Sequence, residues 1–459
     1  MKREILSAGK KEENMKNQNL TQGNILAALL KFAIPVFFAL FLQAMYGAVD
    51  LVIVGKFAEV ADQSGVASGS MLMSIPTTVV AGLSMGITVF IGEAIGAGDK
   101  KKAGDGIGTG ILLFFAIAVV LTIVIIPNSK SLAILMHAPE EALTQTTQYI
   151  LVCGIGIIFI LAYNVLGAVF RGIGDSKTPL FTVAVACAAN IVGDLILVEG
   201  FHLGASGAAA ATVFAQAISV IISLLVIRKR ELPFIFSKSS IRFHAAYMKK
   251  ILFIGVPVGL QEFLVSLSFL FIQTIVNSMG VMASAGVGVA EKVCAFLMLV
   301  GSAFMQSMSA FVAQNNGAGQ HERAKKALFY GIACAFAAGA VMGALAFFGG
   351  SALASIFSND AEVIAAAHSY LKAYAIDCLL TAVFFCFVGY FNGCEKSFFV
   401  MMQGLIGAFC VRIPVVYLMS RIPNASLFMI GLGTPASSLV QTILCIGAFF
   451  YYEKKWKKN

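Results

Sequence analysis

The sequence predicts an all-α protein that crosses a membrane many times, and three observations support this. Of 459 residues, 59% are hydrophobic and only 12% are charged, whereas soluble domains carry about 25% charged residues. Apolar runs long enough to cross a bilayer recur along the whole chain. Basic residues collect in the polar breaks between these runs, as they do in multi-pass proteins of the cytoplasmic membrane. We therefore expect a multi-pass protein of the cell (cytoplasmic) membrane.

Twelve apolar runs predict twelve transmembrane helices. In chain order the predicted spans are 26–54, 65–95, 107–126, 147–170, 178–198, 205–227, 251–278, 285–315, 327–348, 368–392, 398–420 and 434–452. A bilayer needs about 20 residues per helix, and each run is of that order or longer. An even number of spans places both termini on the same side.

The distribution of basic residues predicts which side that is. Of the 32 Lys and Arg, 26 fall on the side of the termini, four on the opposite side and two within spans. Because cytoplasmic loops are enriched in Lys and Arg, both termini are predicted to be cytoplasmic. The polar start of the chain carries no signal-peptide pattern.

Internal repeats predict two lobes of six helices each. "GAGDKKKA" at 96–103 matches "GAGQHERA" at 317–324, and 149–176 aligns without gaps to 370–397, both 221 residues apart. Since six helices separate equivalent positions, the lobes are parallel repeats about an axis along the membrane normal. The predicted parts are a cytoplasmic tail (1–24), an N-lobe of the first six helices (25–228), a cytoplasmic linker (229–250), a C-lobe of the last six helices (251–452) and a basic cytoplasmic tail (453–459).

Polar residues inside the N-lobe spans predict a cation site. Asp50 stands in the apolar run "MYGAVDLVIVGKF", where a charge costs from about 3 to more than 10 kcal/mol. Asn190 and Asp194 are four apart and share a face of the fifth helix, and Thr212 lies in the sixth. Their oxygens suit Na⁺, or the two carboxylates share a proton because close negative charges repel. Pro35 is expected to let the first helix bend.

These residues also have simpler structural explanations that involve no ion binding. Asp50 stands six residues before Lys56, so it could lie in water at the extracellular end of its helix. Asn190 and Thr212 could simply hydrogen-bond between helices. In the second half, the acidic residues Glu262, Glu291 and Asp377 form possible secondary sites, local salt bridges or parts of a water-filled vestibule. Arg412, near Pro414, is expected to neutralise a carboxylate.

Several function classes have no support in the sequence. The nine cysteines form no Cys-x-x-Cys pair, and the five histidines are scattered over loops and span ends. No Walker motif, nucleophile–base pair or nucleic-acid motif is present. We therefore expect no enzyme, no nucleic-acid partner and no cofactor apart from a coupling ion, H⁺ or Na⁺.

Several motifs together resemble the MATE (multidrug and toxic compound extrusion) family of transporters. They are Pro35, "MYGAVDLVIVGKF", "GLSMGITVFIGEAIGAGDKKKA", "NVLGAVFRGIGDSKTP", "NIVGD" and "GASGAAAAT". The resemblance implies a V-shaped pair of six-helix bundles that exports organic cations and amphipathic drugs, driven by inward H⁺ or Na⁺.

The site pattern resembles the archaeal and DNA-damage-inducible-F-like members more closely than NorM-type members. The former use an aspartate, an Asn-x-x-x-Asp pair and a threonine, which Asp50, Asn190, Asp194 and Thr212 match. NorM-type members add a glutamate and an aspartate in the carboxy lobe. The matching positions here hold Val265 and Thr381, with Asp377 one turn away.

The predicted function is therefore multidrug antiport by a monomer in the lipid bilayer, with small-molecule drugs and organic cations as substrates. Four polar residues are candidates for lining the drug cavity: Gln43, Tyr46, Tyr163 and Asn164. The main alternative is a flippase of lipid-linked saccharides from the same superfamily, and an intramembrane enzyme is a weaker one. Twelve spans and few intramembrane basic residues favour the antiporter.

Overall fold

The computed structural model describes residues 20–456, so most of the predicted N-terminal tail and the last three residues of the basic tail lie outside the described part. Within it the chain is helical, and no β-strand occurs. Sixteen α-helices follow one another in this part of the chain. They are α1 (Ile25–Phe57), α2 (Val60–Gly96), α3 (Lys100–Leu135), α4 (Leu143–Ile155), α5 (Ile157–Ile173), α6 (Lys177–Asp194), α7 (Gly204–Lys229), α8 (Ala245–Asn277), α9 (Val281–Leu297), α10 (Leu299–Gly317), α11 (His321–Ala354), α12 (Ala361–Gly393), α13 (Ser397–Leu405), α14 (Ile413–Ser420), α15 (Leu427–Gly431) and α16 (Gly433–Trp456).

These helices provide the predicted number of membrane spans. Eleven helical stretches of the described chain are long and apolar enough to cross a bilayer, and a bent pair, α4 with α5, brings the number to twelve. The prediction of a polytopic all-α membrane protein is confirmed.

The fourth span departs from the continuous helix predicted over 147–170. It bends by 53° between α4 and α5, at Gly156. A glycine weakens a helix by about 1 kcal/mol relative to alanine. Here a Cβ would also overlap the side chain of Val213 on α7. The bend therefore occurs where a close helix contact requires glycine.

The described chain forms two compact units. Unit 1 contains Leu30–Gly259 and Ala313–Gln320 together with residues 20–24, and unit 2 contains Ile25–Leu29, Leu260–Val312 and the chain from His321 onward. The division falls inside α1, α8 and α10. The lobe boundaries given above follow chain order and stay a prediction.

In unit 1 the core lies between α2, α3, α4, α5 and α7. The largest fully buried side chains there include Ile87 and Phe90 on α2 and Phe170 on α5. In unit 2 the core is built around α12, which packs on α9, α11 and α16. Tyr370 and Leu371 of α12 are fully buried in it.

The segment between α7 and α8, predicted as a linker, is folded along unit 1. The Ile235 amide donates to the Lys100 carbonyl at 3.0 Å. Arg230 pairs with Asp175 at 3.4 Å, and Arg242 lies 3.8 Å from Asp105. A 3₁₀ turn, Lys238–Ser240, is closed by a capping box. The segment is thus an ordered part of unit 1.

Candidate functional site

Two hydrogen bonds connect α1 and α7 in the interior of unit 1. The Thr212 hydroxyl donates to Asp50 Oδ2 at 3.1 Å, and Gln216 Nε2 donates to the Tyr46 hydroxyl at 2.8 Å. Tyr46 precedes Asp50 by one turn, and Gln216 follows Thr212 by one turn. The two helices therefore run antiparallel here, and matching faces meet at successive turns.

Small residues explain why these helices approach so closely. Ala208, Ala209 and Ala211 on α7 are fully buried. On α6, a Cβ at Gly193 would lie 3.1 Å from the Ala211 Cβ. Small side chains permit such close helix packing in membranes, and they bring the polar side chains of α1, α6 and α7 within reach of one another.

Asn190 and Asp194 on α6 complete the group. Both are fully buried, and both lie beside Asp50, within the range of a side-chain interaction. The structure thus brings together Asp50, Asn190, Asp194 and Thr212, which we call the acidic cluster. A π-helical turn, Leu195–Gly200, follows Asp194 directly, a feature often found at functional sites.

The acidic cluster holds more acceptor oxygens than the protein satisfies. Asp50 Oδ1, both Asp194 oxygens and Asn190 Oδ1 are buried without a hydrogen-bond partner in the described chain. No ion pair of residues 20–456 involves Asp50 or Asp194. Buried carboxylates normally have a charged or hydrogen-bonding partner. The arrangement can accept a proton or hold a hard cation through oxygen ligands.

The site does not resemble a transition-metal centre. No group of three or more His, Cys, Asp or Glu within residues 20–456 has metal-binding geometry. The cluster supplies two carboxylates, an amide and a hydroxyl, and this donor set fits Na⁺ or H⁺. Asp50 is only 6% exposed, which disfavours the alternative that places it in water at a helix end.

The four candidates for the drug cavity are all half-buried residues of unit 1. Tyr46 bonds to Gln216 and lies within electrostatic range of Tyr163. The Asn164 amide donates to the Ile160 carbonyl of its own helix at 2.8 Å. The structure therefore places Tyr46 near Tyr163, while no hydrogen bond in the described chain joins Gln43 to either tyrosine.

The three acidic residues of unit 2 do not form one cluster. Asp377 on α12 is buried, beside Thr381 and Ser438, and both Asp377 and Glu291 lie within electrostatic range of Cys294. Within the described chain, Glu262 on α8 forms no hydrogen bond or ion pair with Asp377 or Glu291.

A buried arginine accompanies Asp377. Arg412 is 6% exposed, donates to the Ser268 hydroxyl at 3.1 Å and lies 4.5 Å from the centre of the Phe269 ring. Its positive charge interacts favourably with the Asp377 carboxylate. This agrees with the expectation that Arg412 neutralises a carboxylate. The unit 2 carboxylate thus has a protein cation nearby, unlike those of the acidic cluster.

Two polar residues of unit 1 gain importance only in the structure. The sequence places Gln216 one turn after Thr212 on the same helix face, and only the structure shows its bond to Tyr46. Arg171 belongs to the quoted motif "RGIGDSKTP", but the predicted fourth span ended one residue before it. In the structure α5 continues to Ile173, so Arg171 lies within the helix.

The sequence model of the MatE family matches residues 35–196 and again residues 257–418. The chain belongs to the MatE family. The second match begins 222 residues after the first, the spacing of Pro35 and Pro257, and this supports the predicted repeat. The resemblance inferred from the motifs is confirmed.

Similar proteins agree with this membership. The MatE chain is 25% identical over 455 residues to the probable multidrug resistance protein YoeA of Bacillus subtilis, with 98% of each chain covered. It is 26% identical over 444 residues to the probable multidrug resistance protein YpnP of the same organism, covering 96% of this chain and 98% of the relative. The expectation of a transporter instead of an enzyme is confirmed.

A solved structure shows the same fold. It is described as the outward-facing conformation of a multidrug resistance MATE family transporter of the MOP superfamily. The TM-score is 0.90 at 20% identity, covering 97% of this chain and 99% of that one. The predicted fold class is therefore confirmed over nearly the whole chain.

Proposed function

We propose that this MatE protein is a secondary active antiporter that exports organic cations and other amphipathic drugs in exchange for H⁺ or Na⁺. It works as a monomer in the cytoplasmic membrane, with both termini in the cytoplasm and no cofactor besides the coupling ion. The names of the relatives, probable multidrug resistance proteins, support drugs as the substrate class.

The acidic cluster is the observation that carries the proposal. Two buried carboxylates, Asp50 and Asp194, lie side by side without a protein cation. Removing one partner of a buried charge pair typically costs about 3–5 kcal/mol, so uncompensated charge at this depth favours uptake of a proton or a cation. Asn190 and Thr212 supply the remaining oxygens that such an ion needs.

Ion binding changes the contacts of α1. A cation or proton on Asp50 weakens its bond to Thr212, because the hydroxyl then competes with the ion for the carboxylate. Pro35 lies inside α1, and a proline lacks the N–H that would bond to the Lys31 carbonyl. The helix can therefore bend at this point, which couples the ion to release of a drug bound nearby.

The carboxylate of unit 2 fits a different role. Asp377 is buried within range of Arg412, so a fixed guanidinium already supplies positive charge there. This difference supports placing the coupling ion at the acidic cluster instead of at the secondary acidic residues Glu262, Glu291 and Asp377.

The flippase alternative is less well supported. A flippase of lipid-linked saccharides needs a cationic cavity for its diphosphate, whereas the polar interior of unit 1 is dominated by the carboxylates of the acidic cluster. A substrate path lined by several arginines would be the feature that favours it.

Gradient-driven ethidium uptake into inside-out vesicles tests the proposal. A lumen that is acidic, or loaded with Na⁺ at equal pH, should drive ethidium inward, and the effective gradient identifies the ion. Asp50→Asn or Asp194→Asn should lower the initial rate roughly tenfold or more, the loss expected when a charged ligand is removed.

Glu141→Gln is the matched control, because Glu141 is an exposed carboxylate outside the cluster and its neutralisation should leave uptake unchanged. Full gradient-driven uptake by both Asn variants at normal expression would refute the coupling site. Uptake that responds to neither gradient in the wild-type protein would refute antiport itself.

A further inference from the structure

One face of α5, the second half of the bent fourth span, carries two polar side chains with a glycine between them. Tyr163, Gly167 and Arg171 follow one another at four-residue spacing and are half-buried. Leu161, Val165, Ala168, Val169 and Gly172, on the remaining faces, are buried. We call Tyr163, Gly167 and Arg171 the α5 stripe.

Arg171 turns back along the stripe instead of extending past the helix end. A Cβ built on Gly167 would lie 3.2 Å from Arg171 Nη1, so the guanidinium lies about one turn deeper than its own Cα. Arginines near the ends of spans usually extend toward the membrane surface. The direction of Arg171 is the reverse, and the glycine at 167 leaves room for it.

The Arg171 charge has no counterion in the described chain. Its Nε is buried without a hydrogen-bond partner, and no carboxylate within residues 20–456 forms an ion pair with it. Asp175, only four residues further, pairs with Arg230 at 3.4 Å and bonds to Thr178 at 2.6 Å. An unpaired guanidinium in a low-dielectric surrounding is unfavourable, and an anion from outside the protein would compensate its charge.

The stripe leads to the acidic cluster. Tyr163 lies within electrostatic range of Arg171 and also of Tyr46. Tyr46 accepts a hydrogen bond from Gln216 and precedes Asp50 by one turn on α1. Tyr163 and Tyr46 therefore link the surroundings of Arg171 to those of the acidic cluster.

We propose that Arg171 is an anion subsite that binds the carboxylate of zwitterionic amphiphiles while their cationic amine faces the acidic cluster. This inference rests on the proposed drug export and specifies one of its substrate classes. A guanidinium binds a carboxylate with two parallel hydrogen bonds, which an ammonium group cannot reproduce. Zwitterions should therefore bind more tightly than esters that lack the carboxylate.

The test compares two probes that differ only in this group. Norfloxacin carries a carboxylate and a protonated amine at neutral pH, and its ethyl ester keeps only the amine. Equilibrium dialysis on the purified full-length protein should give tighter binding of norfloxacin. Arg171→Gln should raise the norfloxacin Kd about ten- to hundredfold, the value of a charged hydrogen-bonded contact, and change the ester Kd far less. Arg171→Lys should give an intermediate Kd for norfloxacin.

Arg228→Gln is the matched control, because Arg228 is an exposed arginine at the end of α7, and this variant should bind both probes as the wild type does. Equal losses for norfloxacin and ester in Arg171→Gln, or a wild-type protein that does not prefer norfloxacin, would overturn the anion subsite alone. A wild-type protein that binds neither probe would overturn the subsite and weaken the proposed drug export with it. The wild-type comparison needs no variant, so it holds even if Arg171→Gln fails to fold.

Discussion

Several ionisable side chains in the described part of this protein lie inside the membrane spans without an oppositely charged partner. Asp50 and Asp194 are buried carboxyl groups that form no ion pair in the described chain, and Arg171 is a half-buried guanidinium without a carboxylate partner there. In unit 2, Asp377 and Arg412 lie within range of each other. Charges inside a membrane are costly and mark functional positions. The isolated charges of unit 1 are therefore the strongest candidates for contact with ions and substrates.

Thr212 tests the local bonding of the acidic cluster. Thr212→Val removes the hydroxyl that bonds to Asp50, leaving both Asp50 oxygens without a partner. Since a buried acceptor left without a partner costs about 1–3 kcal/mol, we expect a lower apparent Tm in detergent, measured by loss of the monodisperse peak on heating. Thr212→Ser keeps the hydroxyl and loses one methyl group, so it should lower the Tm less than Thr212→Val does. A Val variant as stable as the Ser variant would contradict the bond.

At the level of helices, some positions accept only glycine because another stretch of backbone packs directly against the helix. The chain after α7 folds along the first turns of α3, where a Cβ on Gly104 would overlap the Ile235 carbonyl and one on Gly108 the Ser240 carbonyl. The ion pairs of Arg230 and Arg242 hold the same segment. The region predicted as a linker is therefore fixed by glycine contacts and ion pairs together.

Gly108→Ala should release this segment. The added methyl group overlaps a backbone carbonyl, and such overpacking costs about 1–3 kcal/mol. We expect a lower apparent Tm and faster trypsin cleavage after Lys238 and Arg242. Gly447→Ala is the matched control, since nothing lies within 4 Å of a Cβ there and the change should be neutral or slightly stabilising. Equal trypsin resistance of the two variants would argue against the packing described.

At the level of the whole molecule, the repeat and the orientation are the main features. The family match at 35–196 recurs at 257–418, so the same family pattern occurs twice along the chain. Equivalent helices in parallel repeats keep the same orientation in the membrane. The charge distribution then predicts the direction of both halves together.

Reporter fusions test this orientation. Green fluorescent protein fused after residue 459 should fluoresce, because it folds in the cytoplasm. Alkaline phosphatase fused after His137, in the loop between α3 and α4, should be active because that loop is predicted on the opposite side. Phosphatase activity at residue 459 together with inactivity at His137 would reverse the assigned topology.

The sequence by itself determined the fold class, the number of spans, the repeat and the membership of Asp50, Asn190, Asp194 and Thr212 in one candidate site. These features depend on hydropathy, charge and motif spacing, which are local properties of the chain. The spacing of Asn190 and Asp194 fixed a shared face on α6, because residues four apart on a helix are neighbours.

Only the tertiary structure decided which polar groups are satisfied. The bend at Gly156, the pairing of Gln216 with Tyr46, the folding of the segment after α7 and the inward turn of Arg171 all depend on residues distant in sequence or on side-chain direction. Hydropathy does not report these contacts, because it records how polar a residue is but not which partner it meets. The distinction between Asp50, without a protein cation, and Asp377, within range of Arg412, is of this kind.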